Sequence, residues 1–414
     1  MDSLIRTGWR VFPKIPAARQ TVRTSRPARA RIQLAEPVAR AAGCCLILVG
    51  TSNGRRRVTK AEVIPYDPGL KEEVANLLTL LVSHDPAQAR RYFEWQYEEN
   101  PYFKDPILYL ARADGRIVGM RGLVGAKWQA GPNGAPVVIP YPDDNIVAED
   151  RRASGIVTLI MRAMLADTRA RGYSLLCNVS AGLVTNLASF AAGWKRAGST
   201  EPVARSEHLG RLELGSNAEA FQRLDRAGGG AGSGAGSAIT VSDTPRPGAM
   251  AALVERMGYD GRMRHVREAA WLAWRYRHPL REYRFLWHET AGLLDGYLVV
   301  RRSTDPQAQS RRADIVDWEA TGEAIAAVLL DRVIEWGRFA ELGCWTATLS
   351  EVRHRLLTQA GFEPTDLDLR ARGMPGILVM APGDGTSGDG WNLNGRPLLD
   401  LAQWDLRQIY TMHG

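Results

Sequence analysis

Acidic residues are almost missing from the first sixty positions of this 414-residue chain, where Asp2 and Glu36 stand against thirteen Lys and Arg. The other positions hold 40 basic and 43 acidic residues, so the formal charge of +8 belongs to the leader and the body carries −3. A body so close to neutral excludes a nucleic-acid reading built on overall basicity. Cysteine is scarce. Cys44, Cys45, Cys177 and Cys344 show no metal-ligand spacing and no disulfide framework, which points to a reducing, cytoplasmic setting. Seven histidines are scattered without a His-x-x-x-His pair, so no metal site is expected. Long apolar runs are missing as well: Cys44–Val49 is far short of the roughly 20 residues a membrane span needs.

What is present is ordinary globular composition, with 45% hydrophobic and 24% charged residues over a length that allows two or three domains. Residues 1–57 read as a basic leader: disordered, a targeting peptide, or translated sequence ahead of the true start. Regular patterning begins at Val58. A strand is expected over Val58–Pro65 and a helix over Pro68–Leu81. A second helix is expected over Ala87–Glu98, ending before Asn100-Pro101. Two strands, Ile107–Arg112 and Arg116–Val124, meet at Asp114-Gly115, a hairpin signal. Val137–Ile139 and Asn145–Val147 read as strand, Val157–Arg171 as helix, and Ser174–Cys177 as a short strand. A further helix closes at Gly193-Trp194. Ala227–Ser237 contains only Gly, Ala and Ser and reads as a linker. Leu398–Tyr410 is expected to be a terminal helix.

The stretch Arg152-Ala153-Ser154-Gly155-Ile156-Val157 sits between the Asn145–Val147 strand and the Val157–Arg171 helix. A helix N-terminus offers N–H groups without intrahelical partners and a partial positive charge, and a glycine lets the backbone approach a phosphate. The alternative is a plain turn into a core helix. A second signal is internal repetition. Phe93-Glu94-Trp95-Gln96-Tyr97 precedes Asn100-Pro101, and Trp271-Leu272-Ala273-Trp274-Arg275-Tyr276 precedes His278-Pro279. Each copy then carries a hairpin with a glycine four residues later, Gly115/Gly119 and Gly292/Gly296. Gly193-Trp194 is echoed by Gly361-Phe362. The four aromatics read as core packing that marks a duplication.

The form Arg-x-x-Gly-x-small/apolar resembles the acyl-coenzyme A loop of the GCN5-related N-acetyltransferase (GNAT) superfamily, and the duplicated landmarks resemble its bacterial tandem members over about Val58 to Phe362. The resemblance implies an α/β (α+β) fold with two GNAT-like domains, each a mixed central sheet flanked by helices. Residues 58–226 would form the acyl-CoA-binding copy, 227–240 the linker, 241–380 the second copy, and 381–414 a loop and helix. The second copy has Glu319-Ala320-Thr321-Gly322 in place of the loop motif, and an acid there would repel a pyrophosphate, so this copy is expected to be degenerate. The resemblance further implies acetyl-CoA as acyl donor, held by Val147, Arg152, Ala153, Ser154, Gly155, Ile156 and Val157, with Asn178, Ser180 and Ser189 as further contacts. Asn178 would serve equally as a helix cap.

Acetyl transfer to an amine needs a base. Asp144 is the first choice and Glu149 the second, and a solvated loop carboxylate is the alternative for each, as it is for Asp143. No tyrosine lies between Tyr173 and Tyr259, so the general acid is unassigned among Ser180, Ser189, solvent, Tyr259 and Tyr276. Cys177, in an apolar strand, reads as core. The expected activity is N-acetyl transfer to an unidentified small-molecule or sugar-precursor acceptor. The alternatives are an aminoacyl transferase using aminoacyl-tRNA, and a non-catalytic acyl-CoA-binding or scaffold protein.

Overall fold

In the computed structural model, residues 61–131, 134–152, 154–206, 216–228, 237–303, 312–365, 376–380 and 391–411 are described. The expected leader and most of the expected Gly/Ser linker lie outside them. The first half begins with β1 (Glu62–Pro65), α1 (Lys71–Leu78) and α2 (Pro86–Phe93). Asp85 caps α2 by accepting from the Ala87 N–H, with Pro86 at the first helical position. The helix then widens into a π-helical turn, Glu94–Glu98. β2 (Ile107–Ala113) and β3 (Arg116–Ala130) follow as a hairpin whose turn residues, Asp114 and Gly115, both have positive φ, as a type I′ turn requires. β4 (Val137–Val147), α3 (Ile156–Ala170), β5 (Leu176–Ala181), α4 (Leu183–Ala191) and β6 (Lys195–Ser199) complete it.

Next come β7 (Pro202–Ser206) and α5 (Asn217–Gly228), then β8 (Ser237–Ser242), α6 (Pro247–Arg256), β9 (Met263–His265) and α7 (Ala269–Arg275). The second hairpin, β10 (Arg281–Thr290) and β11 (Leu293–Ser303), turns at Ala291 and Gly292, again both at positive φ. β12 (Arg312–Ala320), α8 (Glu323–Gly337), β13 (Glu341–Trp345), α9 (Glu351–Gln359), β14 (Glu363–Pro364) and β15 (Gly376–Met380) follow.

The repeated glycines have one physical cause. A Cβ on Gly119 would lie 2.9 Å from Ile156 Cγ2 of α3, and one on Gly296 would lie 2.4 Å from Ile325 Cγ2 of α8. Each glycine lets the helix that follows the next strand, α3 after β4 and α8 after β12, pack closely on the sheet. The repeated tryptophans meet face to face. Trp95 and Trp274 stack at 4.9 Å with 7° between their planes, and each indole N–H donates to the other's backbone carbonyl, at 2.9 and 2.7 Å. This reciprocal pair sits in a core that takes residues from both halves.

The halves are interlocked by an exchange of strands that the sequence reading did not anticipate. β7 leaves the first half and inserts between β13 and β14, antiparallel to both. β15 leaves the second half and inserts between β5 and β6, again antiparallel to both. α5 also packs in the second half, with Phe221 and Leu224 in the same core cluster as Leu298, Leu329 and Leu342. Val58–Gly414 accordingly forms one compact unit.

The expected terminal helix over Leu398–Tyr410 is not formed. Trp404–Asp405 is a short parallel strand against β9, flanked by 3-10 turns at Leu401–Gln403 and Gln408–Tyr410. The seven residues from Trp404 to Tyr410 are all buried. A segment enclosed on every side has no solvent face to favour an amphipathic helix, and pairing with β9 satisfies its backbone. No helix among the described residues is long and apolar enough to cross a membrane.

Candidate functional site

β4 and β5 come close together but belong to different hydrogen-bonded sheets, β4 with β3 and β5 with β15. Asn178, on β5, bridges the gap by donating from Nδ2 to the Pro142 carbonyl of β4 at 3.1 Å. Beyond this split, Val147 leads through the 3-10 turn Glu149–Arg151 into the N-terminus of α3. Gly155 is the N-cap, with φ 82° and ψ 2°, and no atom lies within 4 Å of where its Cβ would be. The left-handed backbone explains the glycine. The space beside it leaves the α3 N-terminus accessible.

A cavity of about 430 Å³ opens at this point. Of the residues expected to hold a cofactor, Val147, Arg152, Ser154, Gly155, Ile156 and Val157 line it. Ala153 lies outside the described residues. Leu80 and Leu81, just past α1, form an opposing apolar wall and are nearly half exposed. The charged residues among the described lining are Arg151 and Arg152. Arg151 pairs with Asp114 and Asp150, and Arg152 reaches Glu149 at 3.4 Å. With the N-terminal dipole of α3 and the two paired guanidiniums at one end, the cavity is polar there and apolar along its wall.

The remaining expected residues lie elsewhere. Asn178 has the bridging role just described, and Ser189 is 1% exposed inside α4; neither lines the cavity. The Ser180 side chain lies outside the described residues. Glu149 is exposed at the mouth of the loop. Asp144 is not a solvated loop carboxylate: it is 1% exposed, at φ 48° in an irregular stretch of β4 where the pairing with β3 shifts register. Its next neighbours along β4, Asn145 and Ile146, line the cavity.

Sequence reasoning missed the partners of Asp144. Tyr97 donates to Oδ2 at 2.5 Å and Tyr92 to Oδ1 at 3.2 Å. Tyr92 and Tyr97 are five residues apart, and the π-helical turn between them allows both to reach one carboxylate. Gly122 makes room, since a Cβ there would lie 2.2 Å from the Tyr97 Oη. Burial and the Asp144 charge push both phenols well above their ordinary pKa, so both stay protonated donors. Arg121, also 1% exposed, lies near Asp143, and burial pulls its pKa down to about 10.

The second copy repeats the pair with different surroundings. Asp317 precedes Ala320 on β12 as Asp144 precedes Val147 on β4, and accepts from Tyr276 at 3.4 Å and Tyr297 at 2.8 Å. Arg267 adds an ion pair at 3.1 Å. Glu319, expected to repel a pyrophosphate at the entrance to α8, instead ends β12 with its charge met by Arg267, Arg353 and Arg407. These cations hold its carboxyl below the usual range despite burial. Gly322, the N-cap of α8, is extended rather than left-handed. Tyr259 and Tyr276 are both engaged in packing: Tyr259 accepts from the Gly131 N–H and donates to the Gln129 carbonyl. Cys177 is fully buried, with its thiol pKa pushed up by burial, as a core residue would be.

No family model and no curated protein sequence matches the chain. Solved structures do. A conserved protein of unknown function from Enterococcus faecalis V583, named Probable N-Acyltransferase, superimposes with a TM-score of 0.53 at 12% identity, over 78% of this chain and 73% of its own. A GCN5-related N-acetyltransferase from Anabaena variabilis superimposes with a TM-score of 0.53 at 10% identity, over 78% of this chain and 74% of its own. Together with the split between β4 and β5 and the glycine-capped α3, these likenesses show that the chain has the GCN5-related N-acetyltransferase fold.

Proposed function

We propose that the protein is an acyltransferase that moves an acetyl group from acetyl-CoA to an amine or hydroxyl of a small acceptor. The observation that carries this reading is the cavity at the N-terminus of α3, lined by Arg151 and Arg152 at the loop and apolar along Leu80 and Leu81. A pyrophosphate would accept from the first N–H groups of α3, beside Arg152. The pantetheine arm would run along β4 towards Asn145 and Ile146.

Acetyl transfer would then proceed by direct attack. The acceptor nitrogen adds to the thioester carbonyl carbon, the C–N bond forms, and the C–S bond breaks. The thiolate leaves towards the open cavity and takes a proton from solvent. The ammonium proton passes to Asp144 through the Tyr97 hydroxyl, which gives its own proton to the carboxylate as it accepts the new one. Binding and orientation supply the rest of the rate. The second copy supports the first through the exchanged β15 and holds no acyl-CoA loop of its own.

The test is CoA release from acetyl-CoA over a panel of amines, read as free thiol, with wild type beside Asp144→Asn. The reading predicts turnover with at least one amine, reduced at least 100-fold in the variant while acetyl-CoA still binds. Equal turnover in the two proteins would remove Asp144 from the mechanism.

A further inference from the structure

A second cavity, of about 170 Å³, lies between the end of α6, β9, the end of β12 and the first turn of α9. Glu319 lines it at the strand position that Ile146 occupies in the first copy, because Gly296 pairs with Ala320 as Gly119 pairs with Val147. The same place in the fold is apolar in one copy and charged in the other. Five guanidiniums line this cavity: Arg262, Arg264, Arg267, Arg353 and Arg407. Three carboxylates, Asp260, Glu319 and Asp405, line it with them. Two positive charges are in excess, or one when Asp317, paired with Arg267, is counted.

The surplus can be placed on a residue. Glu319 takes Arg267 at 2.7 Å and both Arg353 and Arg407 at 3.0 Å, and Asp260 takes Arg262 at 2.6 Å. Arg264 has no carboxylate within ion-pair distance among the described residues. It donates to the Gly258 carbonyl at 2.9 Å and lies over the Tyr259 ring at 4.2 Å. Burial and the neighbouring Arg267 charge pull its pKa down, more than the nearby Asp405 carboxylate raises it. The buried Nε–H groups of Arg267 and Arg353 also lack an acceptor among the described residues. Buried donors left without an acceptor are costly, and an oxyanion would satisfy them and meet the half-buried Arg264 charge.

We propose that this cavity binds a small dianion, a phosphate or a dicarboxylate. Arg264 supplies the uncompensated charge, and the Arg267 and Arg353 guanidiniums supply hydrogen bonds. Planar guanidinium forks suit either oxyanion. A volume of about 170 Å³ is close to that of six waters at roughly 30 Å³ each, enough for either ligand and too small for a whole nucleotide. An occupant would also fasten β9, which pairs with both β3 and Trp404–Asp405.

The experiment is calorimetric titration of the full chain with inorganic phosphate and with malonate, each against chloride at matched ionic strength. Wild type, Arg264→Met, Arg353→Met and Arg152→Met are compared, and circular dichroism confirms that each variant is folded. Saturable binding of either dianion that weakens at least tenfold in Arg264→Met or Arg353→Met, and is kept in Arg152→Met, is the expected result. Which dianion binds identifies the ligand class. Binding no stronger than chloride overturns the proposal. So does binding that survives both cavity variants, or that is lost in Arg152→Met and therefore belongs to the α3 loop.

Discussion

The similar tyrosine–aspartate pairs of the two halves supply an internal control for the role of Asp144. Tyr97→Phe removes a 2.5 Å donor from a carboxylate that is 1% exposed, and Tyr276→Phe removes a 3.4 Å donor from Asp317, also 1% exposed. A hydrogen bond to a charged group is worth about 1.5–3 kcal/mol. The short bond at Tyr97 belongs to the upper part of that range, so Tyr97→Phe should cost about 2.5–3 kcal/mol of stability. Asp317 keeps Tyr297 at 2.8 Å and Arg267 at 3.1 Å, so Tyr276→Phe should cost about 1 kcal/mol or less. Urea denaturation measures both. Activity should separate them far more sharply. If Asp144 takes the ammonium proton through Tyr97, CoA release in Tyr97→Phe should fall on the order of 100-fold or more. Tyr276→Phe should stay within about twofold, because its partner Asp317 is buried in the second half and does not line the cavity at α3. Tyr97→Phe that loses the expected stability but keeps wild-type turnover would refute the reasoning and leave the Tyr97–Asp144 pair a packing device.

Two further outcomes follow from the fold. His265 is 1% exposed, and burial pulls its pKa down to about 3. The unfolded chain therefore binds a proton below about pH 6.5 that the folded chain refuses, so stability is full above that pH and falls as pH drops towards 3. Between pH 8 and pH 5 this group should remove about 2 kcal/mol, and denaturation of His265→Phe should show a correspondingly shallower pH slope; an equal slope would contradict the assignment. Ile377, fully buried on β15, should cost about 2–5 kcal/mol as Ile377→Ala. It should also weaken acetyl-CoA binding, although it lies 222 positions after Gly155, because β15 braces β5. Unchanged affinity would show that the exchanged strand does not support the site.

Local signals carried much of the fold. Asp114-Gly115 and Ala291-Gly292 made their turns, and the glycines four residues on proved to be helix-packing positions rather than incidental repeats. Arg152–Val157 opened α3 as its glycine required. What stayed illegible depends on long-range pairing. β7 and β15 are five-residue strands, and nothing in such a short run says which half's sheet will accept it. The Trp404–Tyr410 stretch resembled a helix because its apolar residues were counted without its neighbour β9. Asp144 stood out as the first-choice base, but its tyrosines became visible only through the π-helical turn and the gap at Gly122. Glu319 was read as a bare acid because its three arginines come from separate segments of the chain.

The central claim is that one acyl-CoA site lies at the glycine-capped start of α3. Calorimetric titration of the full chain with acetyl-CoA, beside Gly155→Glu, tests it most directly. A carboxylate placed about 5 Å from a pyrophosphate at an effective dielectric of about 40 opposes each phosphate charge by roughly 1.7 kcal/mol, or on the order of 100-fold or more for the pair. The account predicts one bound acetyl-CoA per chain in wild type and binding weakened by at least that factor in the variant. No binding to the wild-type protein, or equal binding to the two, would contradict it.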